Sequence, residues 1–186
     1  MAPATQTTAE VTTKDEILGH ALELFGQGGY EKTSLRDIAE RMGFTKAALY
    51  YHYRTKDQLL ADLFEPVMAE GDAIIERHPK LRTSAQREPF LAEYFEFLWN
   101  HRVLLCHIAC DLAVLSTPET GGRVVGHVTA VVDALAVGST SSATRTRAKA
   151  ALGALQVPIT LIDPDSDFAG TRRVAVACAL AVLSAS

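Results

Sequence analysis

The sequence has few cysteines and no long apolar run, and each shortage excludes a class of protein. Three cysteines in 186 residues are too few for a disulfide-rich secreted domain. The longest apolar run, residues 174–183, is about half of the roughly twenty residues that a membrane-spanning helix needs. No basic stretch followed by an apolar stretch marks a signal peptide near the start. We therefore expect a cytoplasmic protein with no membrane partner.

A basic charge balance, which marks many DNA-binding domains, is also missing. The net charge is −4, and residues 1–54 carry six basic and seven acidic side chains. A positive surface must therefore come from the placement of a few cations. Four of these, Arg36, Lys46, Arg54 and Lys56, lie in one stretch. If this stretch binds DNA, its non-specific affinity should be modest.

The chain contains none of the short motifs that accompany common catalytic chemistry. There is no GxSxG, HExxH, GxxxxGK or CxxC sequence. Gly26, Gly28 and Gly29 follow a helical pattern rather than a strand, so they predict the end of a helix and not a phosphate cradle. The sequence therefore predicts no catalytic residue, no metal site and no cofactor.

Residues 33–56 have the pattern of a helix-turn-helix. Ser34 or Thr33 can cap a first short helix, because a hydroxyl accepts an otherwise unpaired backbone N–H. Gly43 suits the tight turn, since glycine reaches positive φ without steric cost. Thr45 can cap a second helix, in which Ala47 would allow a close approach to a DNA major groove.

The second helix leaves a lysine, aromatic hydroxyls and an imidazole on its outer face. Lys46 and the aromatic side chains of the run Tyr50 to Tyr53 suit phosphates and base edges better than bulk water. An ordinary helical hairpin is the alternative. It would account for Ala39, Gly43 and Leu49 but not for the outward cluster, so the pattern favours DNA binding.

These motifs resemble the TetR family of bacterial transcriptional regulators over about the first third of the chain. The resemblance implies an all-helical homodimer that binds operator DNA and releases it when a ligand binds. No motif of the C-terminal part contributes to it. The matching residues are Leu24-Phe25, Gly29-Tyr30, Thr33-Ser34, Arg36-Asp37-Ile38-Ala39, Gly43-Phe44, Leu49-Tyr50-Tyr51-His52-Tyr53 and Lys56-Asp57.

Helical periodicity continues through the rest of the chain, so the predicted fold class is all-α. We divide it into an N-terminal arm with a three-helix helix-turn-helix DNA-binding domain, residues 1–54, and a helical ligand-binding and dimerisation bundle, residues 55–186. Residues 1–11 should form a mobile arm, and Thr13 with Glu16 a capping box. Further helices are predicted at 55–77 with a kink near Pro66, and at 84–100, 101–115, 122–137, 143–162 and 166–183.

The last two predicted helices are apolar on nearly all sides beyond Arg172 and Arg173. A helix of this kind must be covered all round, and no further segment remains to cover it. The same helix pair of a second subunit is the simplest cover, which predicts a homodimer with Ala177 and Ala179 in the seam.

Cys106, His107, Cys110 and Asp111 form a cluster with two readings. Two thiols one turn apart supply half of a tetrahedral metal site, and their parallel Cβ vectors disfavour a disulfide, so inert buried cysteine is the expected state. Asp111 could contact a ligand or form an internal salt bridge, and the sequence leaves both open.

The sequence therefore predicts a ligand-responsive transcriptional regulator, most simply a repressor that binds palindromic operator DNA as a homodimer and is released by a small apolar molecule. The alternatives are a small enzyme or metal/thiol protein built on the cysteine cluster, and an architectural DNA binder without a ligand. We predict Arg36 and Lys46 at base edges and Tyr50, Tyr51, His52 and Lys56 at phosphates. The full DNA-binding set is Ser34, Arg36, Thr45, Lys46, Ala47, Tyr50, Tyr51, His52 and Lys56, and the ligand-binding set is Phe64, Met68, Phe90, Tyr94, Phe97, Cys110, Asp111 and Leu115.

Overall fold

The computed structural model describes residues 4–108, 111–161 and 167–185, and the regular secondary structure in these ranges is all helical. This confirms the all-α prediction. The α-helices of the described ranges are α1 (Ala4–Gly28), α2 (Leu35–Met42), α3 (Lys46–His52), α4 (Lys56–Arg77), α5 (Ser84–Asn100), α6 (Leu112–Leu115), α7 (Pro118–Leu135), α8 (Ser142–Thr160) and α9 (Phe168–Ser184), with a π-helical segment (Val103–Ile108) before α6.

Helix α1 is longer than the sequence pattern predicts. The prediction of an arm at residues 1–11 was wrong for the described part, because α1 already begins at Ala4. The predicted cap at Thr13 was also wrong, because Thr13 lies inside the helix. No glycine or proline stands between Ala4 and Gly19, so nothing in this stretch interrupts helix propagation. The end is as predicted, since α1 stops at Gly28 and Gly29 has φ 86°.

The predicted caps of the helix-turn-helix are present. Ser34 and Asp37 form a full capping box on α2, and the Thr45 hydroxyl accepts the Ala48 N–H at 3.2 Å on α3. Gly43 ends α2 at φ 67°, a left-handed conformation that glycine adopts without strain. Leu49 is completely buried, so α3 is anchored by the side opposite its polar face.

Helix α4 connects this module to a bundle in which it packs against α5 and α7, while α9 packs against α5 and α8. The valine-rich stretch is helical as its spacing predicted, with Val124, Val131 and Val132 buried on one side of α7. Pro66 lies inside α4, and neighbouring Val67 and Met68 point into the core. Helix α5 has the predicted bounds, and those of α7, α8 and α9 differ from the predicted ones by a few residues.

The prediction of one continuous helix over residues 101–115 was wrong. The chain forms the π-helical segment, and then Asp111 takes an extended conformation and caps α6 by accepting the Ala113 N–H at 2.9 Å. An aspartate carboxylate competes with the backbone for such N–H groups, which is why it favours caps over helix interiors. Leu104 is buried but Leu112 is 78% exposed, so the two halves do not share one face.

None of the helices in the described ranges is long and apolar enough to cross a lipid bilayer.

Candidate DNA-binding surface and effector region

Helices α2 and α3 present most of the predicted DNA-binding set on one exposed surface. Tyr51 is 77% exposed and Tyr50 41% exposed, which is unusual for aromatic side chains of this size. Tyrosine nevertheless suits a wet polar contact, because its ring is apolar and its hydroxyl forms hydrogen bonds. Ser34, Arg36, Thr45, Lys46 and Ala47 are also exposed, and His52 is half-buried.

Contacts within this surface orient its cations. The Lys46 ammonium lies over the Tyr50 ring, 5.3 Å from the centroid, at a distance typical of a cation–π contact. Arg36 donates from Nε to Glu40 at 2.7 Å, and this hydrogen bond raises the pKa of the Arg36 guanidinium. Both groups are on the solvent side, so an anionic partner can compete for Arg36 at little cost.

Tyr53 does not belong to this outward cluster. The structure corrects the prediction, since Tyr53 is 2% exposed and its hydroxyl donates to Asp62 of α4 at 3.0 Å. Burial, followed by this hydrogen bond, raises the pKa of the Tyr53 hydroxyl. Tyr53 is the residue that ends α3, so it connects the end of that helix to the bundle.

Lys56 has an internal role that the sequence did not indicate. Its ammonium donates to the carbonyl oxygens of Tyr30 at 2.6 Å, Thr33 at 3.0 Å and Glu31 at 3.4 Å. Burial lowers the pKa of Lys56, against the nearby carboxylates, which raise it. The three donors of the ammonium are thus engaged in holding the α1–α2 turn, and a phosphate contact stays a prediction that must compete with this role.

Five of the predicted ligand-binding residues come together in the core between α4 and α5. Phe64, Met68, Phe90, Tyr94 and Phe97 are each at most 2% exposed. Tyr94 stacks on Phe90 with centroids 5.6 Å apart and packs at 5.4 Å from Phe97. Leu115 is only half-buried, at the end of α6.

A buried histidine that the sequence reading did not include completes this core. His127 of α7 is 4% exposed, and its Nδ1 donates to Asp72 at 2.7 Å, because a carboxylate only accepts. Its Nε2 forms a hydrogen bond with the Tyr94 hydroxyl at 3.0 Å. The spacing could have revealed it, since His127 follows Val124 by three residues and precedes Val131 by four.

Arg123 extends the network toward the surface by donating to Asp72 at 2.7 Å and to Glu65 at 3.2 Å. Burial alone would raise the pKa of Asp72, but the hydrogen bonds from His127 and Arg123 outweigh it and lower the pKa. Gly71 lies directly behind His127, and a Cβ there would be 2.6 Å from Cε1 of the imidazole ring. The network therefore requires glycine at this position.

Asp111 does not line the aromatic core, which corrects its assignment to the ligand-binding set. Besides capping α6, its carboxylate accepts the backbone N–H of Tyr30 at 3.4 Å, in the same turn that Lys56 holds. Cys110 and the side chains of Cys106 and His107 lie outside what the structure describes. Within the described part of the chain, no group of three or more histidine, cysteine or acidic side chains could hold a metal ion.

Helices α8 and α9 leave aliphatic side chains in solvent. Val157 is 55%, Leu161 76% and Val174 59% exposed, and the groove between the helices encloses about 610 Å³ beside Val157, Val174 and the exposed Cys178. Ala177 is exposed as expected, but Ala179 is fully buried within the subunit. Placing Ala179 in a seam between subunits was wrong, because it faces the subunit's own core.

The two capped helices, the glycine turn between them and the exposed polar face of the second form a helix-turn-helix motif, an arrangement found in many DNA-binding proteins. Residues 17–63 match the family described as "Bacterial regulatory proteins, tetR family". This match covers α2 and α3 with parts of α1 and α4, so it shows a TetR-type N-terminal domain in this part of the chain. The family domain implies DNA binding.

Curated relatives match only part of this chain. Over 46 residues the chain is 44% identical to the biofilm operon negative transcriptional regulator IcaR of Staphylococcus epidermidis, covering 25% of each protein. Over 90 residues it is 33% identical to a probable acrEF/envCD operon repressor of Escherichia coli, covering 47% of this chain and 39% of the relative. The matches thus span between a quarter and two fifths of these relatives, which are described as negative regulators or repressors.

The whole fold has neighbours among solved structures. The ketosteroid transcriptional regulator KstR2 of Mycobacterium tuberculosis superposes with a TM-score of 0.69, covering 92% of this chain and 93% of that one. The sequence identity is 19%, so this likeness shows the fold alone.

Proposed function

We propose that the protein is a repressor that binds palindromic operator DNA as a homodimer and is released by a small molecule with an apolar part. The observation that carries the DNA-binding part is the exposed face of α2 and α3. Tyr50 and Tyr51 point outward there, whereas Leu49, which precedes them in α3, is fully buried. The distant relatives described as repressors support the direction of control.

Arg36 and Lys46 are the proposed base-reading residues. They lie at the start of α2 and at the start of α3, the end of a recognition helix that meets base edges. Tyr50, Tyr51 and His52 follow along α3 and are proposed to contact phosphates, with Ser34, Thr45 and Ala47 beside the backbone. Lys56 keeps its proposed phosphate role only if it exchanges a carbonyl partner for DNA.

A homodimer through α8 and α9 is proposed because these helices expose Val157, Leu161 and Val174 together. The two-fold would place two copies of α3 at half-sites about 34–36 Å apart on one face of the duplex. We propose a boundary between DNA-binding and effector domains at residues 54 and 55. Lys56 and the Tyr53–Asp62 hydrogen bond cross this boundary, and we propose that they transmit motion from one domain to the other.

An effector with an apolar part is proposed to enter beside α4, whose two halves touch both domains. Phe64 and Met68 belong to the closed aromatic core, while Lys56 at the start of the same helix holds the α1–α2 turn. Opening the core to admit a ligand would therefore move α4 and change the separation of the two recognition helices. A coupling of about 1–3 kcal/mol is typical of such linked sites.

Operator selection from a pool of randomised duplexes tests the proposal. We expect the recovered sequences to be inverted repeats. The Arg36→Ala variant should lose about 1–3 kcal/mol of operator-binding free energy, and it should discriminate less between bases at one position. Recovery of single, asymmetric sites would contradict the dimeric operator complex. Binding that no small molecule weakens would favour the architectural DNA binder.

Linkage supplies the test of the effector. If a ligand lowers the affinity of the protein for operator by some factor, operator must lower the affinity of the protein for that ligand by the same factor. Calorimetric titration with and without operator measures both, and Phe97→Ala is the variant of choice because Phe97 packs on Tyr94 and His127. Unchanged ligand affinity on DNA would contradict the mechanism.

A further inference from the structure

Resting on the proposed effector control, we propose that a cleft between α4 and α7 binds a small organic ammonium ion, and that this is the polar half of the effector. The cleft encloses about 270 Å³ and is lined by Asp62, Phe64 and Glu65 from α4 and by Glu119, Thr120 and Arg123 from α7. Its volume suits a compact molecule rather than a polycyclic one.

The charge of the cleft selects a cation. Three carboxylates face one guanidinium, and the Arg123 guanidinium is already shared between Glu65 and Asp72. In the described ranges, Asp62 and Glu119 have no ion-pair partner, and the hydrogen bond to Asp62 comes from the neutral Tyr53 hydroxyl. The cleft therefore keeps negative charge that a bound cation would compensate.

A buried hydroxyl at the same place points to a ligand that can form hydrogen bonds. Thr120 is 2% exposed, and its Oγ1 has no hydrogen-bond partner among the residues that the structure describes. An unpaired buried hydroxyl typically costs about 1–3 kcal/mol, so a partner is expected. An ammonium N–H can donate to Thr120 and to a carboxylate at once, which a quaternary cation cannot do.

The carboxylates are arranged around the cleft and are not gathered at one point. Over the described ranges no cluster of three or more acidic, histidine or cysteine side chains is close enough to hold a metal ion. A molecule that spreads its contacts therefore fits better than a divalent ion. Phe64 lines the cleft and also belongs to the aromatic core, so the cleft borders that core.

The first turn of α7, which forms one wall of the cleft, is held in place by a helix cap and by close backbone packing. The Thr117 hydroxyl caps this helix by accepting the Gly121 N–H at 3.2 Å. Gly121 packs so closely on the backbone of Leu115 that a Cβ would collide with it. The first turn of α7, which carries Glu119 and Thr120, is thus fixed against α6, and the cleft is preorganised for its ligand.

The cleft is also next to the end of the recognition helix. Asp62 accepts a hydrogen bond from the hydroxyl of Tyr53, which ends α3. Glu65 accepts a hydrogen bond from Arg123, which also donates to Asp72, the partner of His127 in the core. A cation between Asp62 and Glu65 would compete for both carboxylates. This gives the ligand a direct route to the DNA-reading helix, in addition to the opening of the core.

Calorimetric titration of DNA-free protein with phenethylammonium tests the proposal, with phenethyl alcohol as the neutral control and phenylacetate as the anionic control. We expect the ammonium to bind at least about tenfold more tightly than either control, and added salt to weaken it. Glu119→Gln should weaken ammonium binding about three- to tenfold. Glu76→Gln, an exposed carboxylate of α4 outside the cleft, should leave it unchanged.

Thr120→Val separates a ligand contact from a packing role. A valine of the same shape removes the unpaired hydroxyl, so the folded protein should be as stable as the wild type or more stable, while ammonium binding weakens. Equal binding of ammonium and alcohol, or equal effects of Glu119→Gln and Glu76→Gln, would overturn the proposal. No binding of ammonium by a protein that still selects inverted-repeat duplexes would also overturn it and leave the proposed DNA function intact. Ammonium binding without any duplex selected would instead overturn the DNA function.

Discussion

Two surfaces of this molecule expose large side chains, and their chemistry differs. The face of α3 exposes Tyr50 and Tyr51, each with a polar tip, beside Lys46. The face of α8 and α9 exposes aliphatic Val157 and Val174, which have no polar atom beyond the backbone. The first surface suits a wet, charged partner such as DNA, and the second suits a dry contact with a copy of itself. Exposure alone thus does not distinguish the two surfaces, whereas the chemistry of their exposed side chains does.

The largest expected effect comes from charging the aliphatic face. Val174→Glu would place two like charges near the proposed two-fold, at a cost of several kcal/mol per buried ion. We expect sedimentation equilibrium to show monomers at concentrations where the wild type is dimeric, with operator binding weakened accordingly.

Val125→Glu is a matched control, because Val125 of α7 is 55% exposed and Val174 is 59% exposed. The two proteins differ only in which face carries the charge. A dimeric Val174→Glu protein, or a monomeric Val125→Glu protein, would move the interface away from α8 and α9. Ala179→Glu is not a useful probe, since Ala179 is fully buried and the change would unfold the subunit.

The next effect distinguishes a DNA contact from an internal brace. Lys56→Met removes the charged hydrogen bonds to the carbonyls of Tyr30, Thr33 and Glu31, so we expect a loss of about 1–3 kcal/mol in the free energy of unfolding. Chemical denaturation measures it. Lys32→Met, at an exposed lysine of the same turn, should change stability little. Unchanged stability of Lys56→Met with a flatter salt dependence of DNA binding would restore the phosphate role.

What the sequence could predict depended on whether a pattern was local. Ser34, Gly43 and Thr45 act on backbone within four residues, so their capping roles were readable and are confirmed. The helical spacing of Val124 and Val131 likewise outweighed the strand propensity of valine. The boundaries of α4 and α5 followed from Thr55 and from the periodic aromatic residues in the same way.

Roles that depend on a partner distant in sequence were not readable. Asp111 was placed in a ligand pocket, but it contacts Tyr30, 81 residues away. Tyr51 and Tyr53 stand two residues apart and look alike in the sequence, yet Tyr51 is exposed and Tyr53 forms a hydrogen bond with Asp62. The pairing of His127 with Asp72 joins two helices whose packing no local pattern specifies. The sequence thus indicated which residues carry chemistry better than what they contact.

The two tyrosines offer a comparison within α3 and its end. Tyr53→Phe deletes a half-buried hydrogen bond to Asp62 and should cost about 0.5–1.5 kcal/mol of stability. Tyr51→Phe deletes an exposed hydroxyl, so stability should be unchanged while operator affinity falls. Thermal unfolding and duplex binding, measured on both variants, check this. Equal losses of stability would mean that the exposed face of α3 has a structural role that its solvent contact hides.

The smallest expected effect concerns acid stability, and it sharpens the contrast between the buried network and both surfaces. The pKa of Asp72 is lowered in the folded protein, as is that of Glu93, where hydrogen bonding from His78 is the leading cause. A carboxyl group whose pKa is lowered by folding stabilises the fold fully when the pH is above its pKa in the unfolded chain, which is about 3.9 for aspartate. This contribution is lost as the pH falls through the pKa in the folded protein.

Melting temperature measured from about pH 7 down to about pH 2 should therefore fall most steeply below about pH 4. Asp72→Asn should lower stability at neutral pH, since it weakens the contacts to His127 and Arg123, and should flatten the acid limb. Glu93→Gln should act in the same direction through the loss of its contacts to His78 and Arg77. Glu76→Gln should leave the limb unchanged, because Glu76 is exposed and forms no ion pair within the described ranges. An Asp72→Asn protein with an unaltered acid limb would show that the buried network does not govern acid stability, and that the carboxylates of the solvent-facing surfaces do.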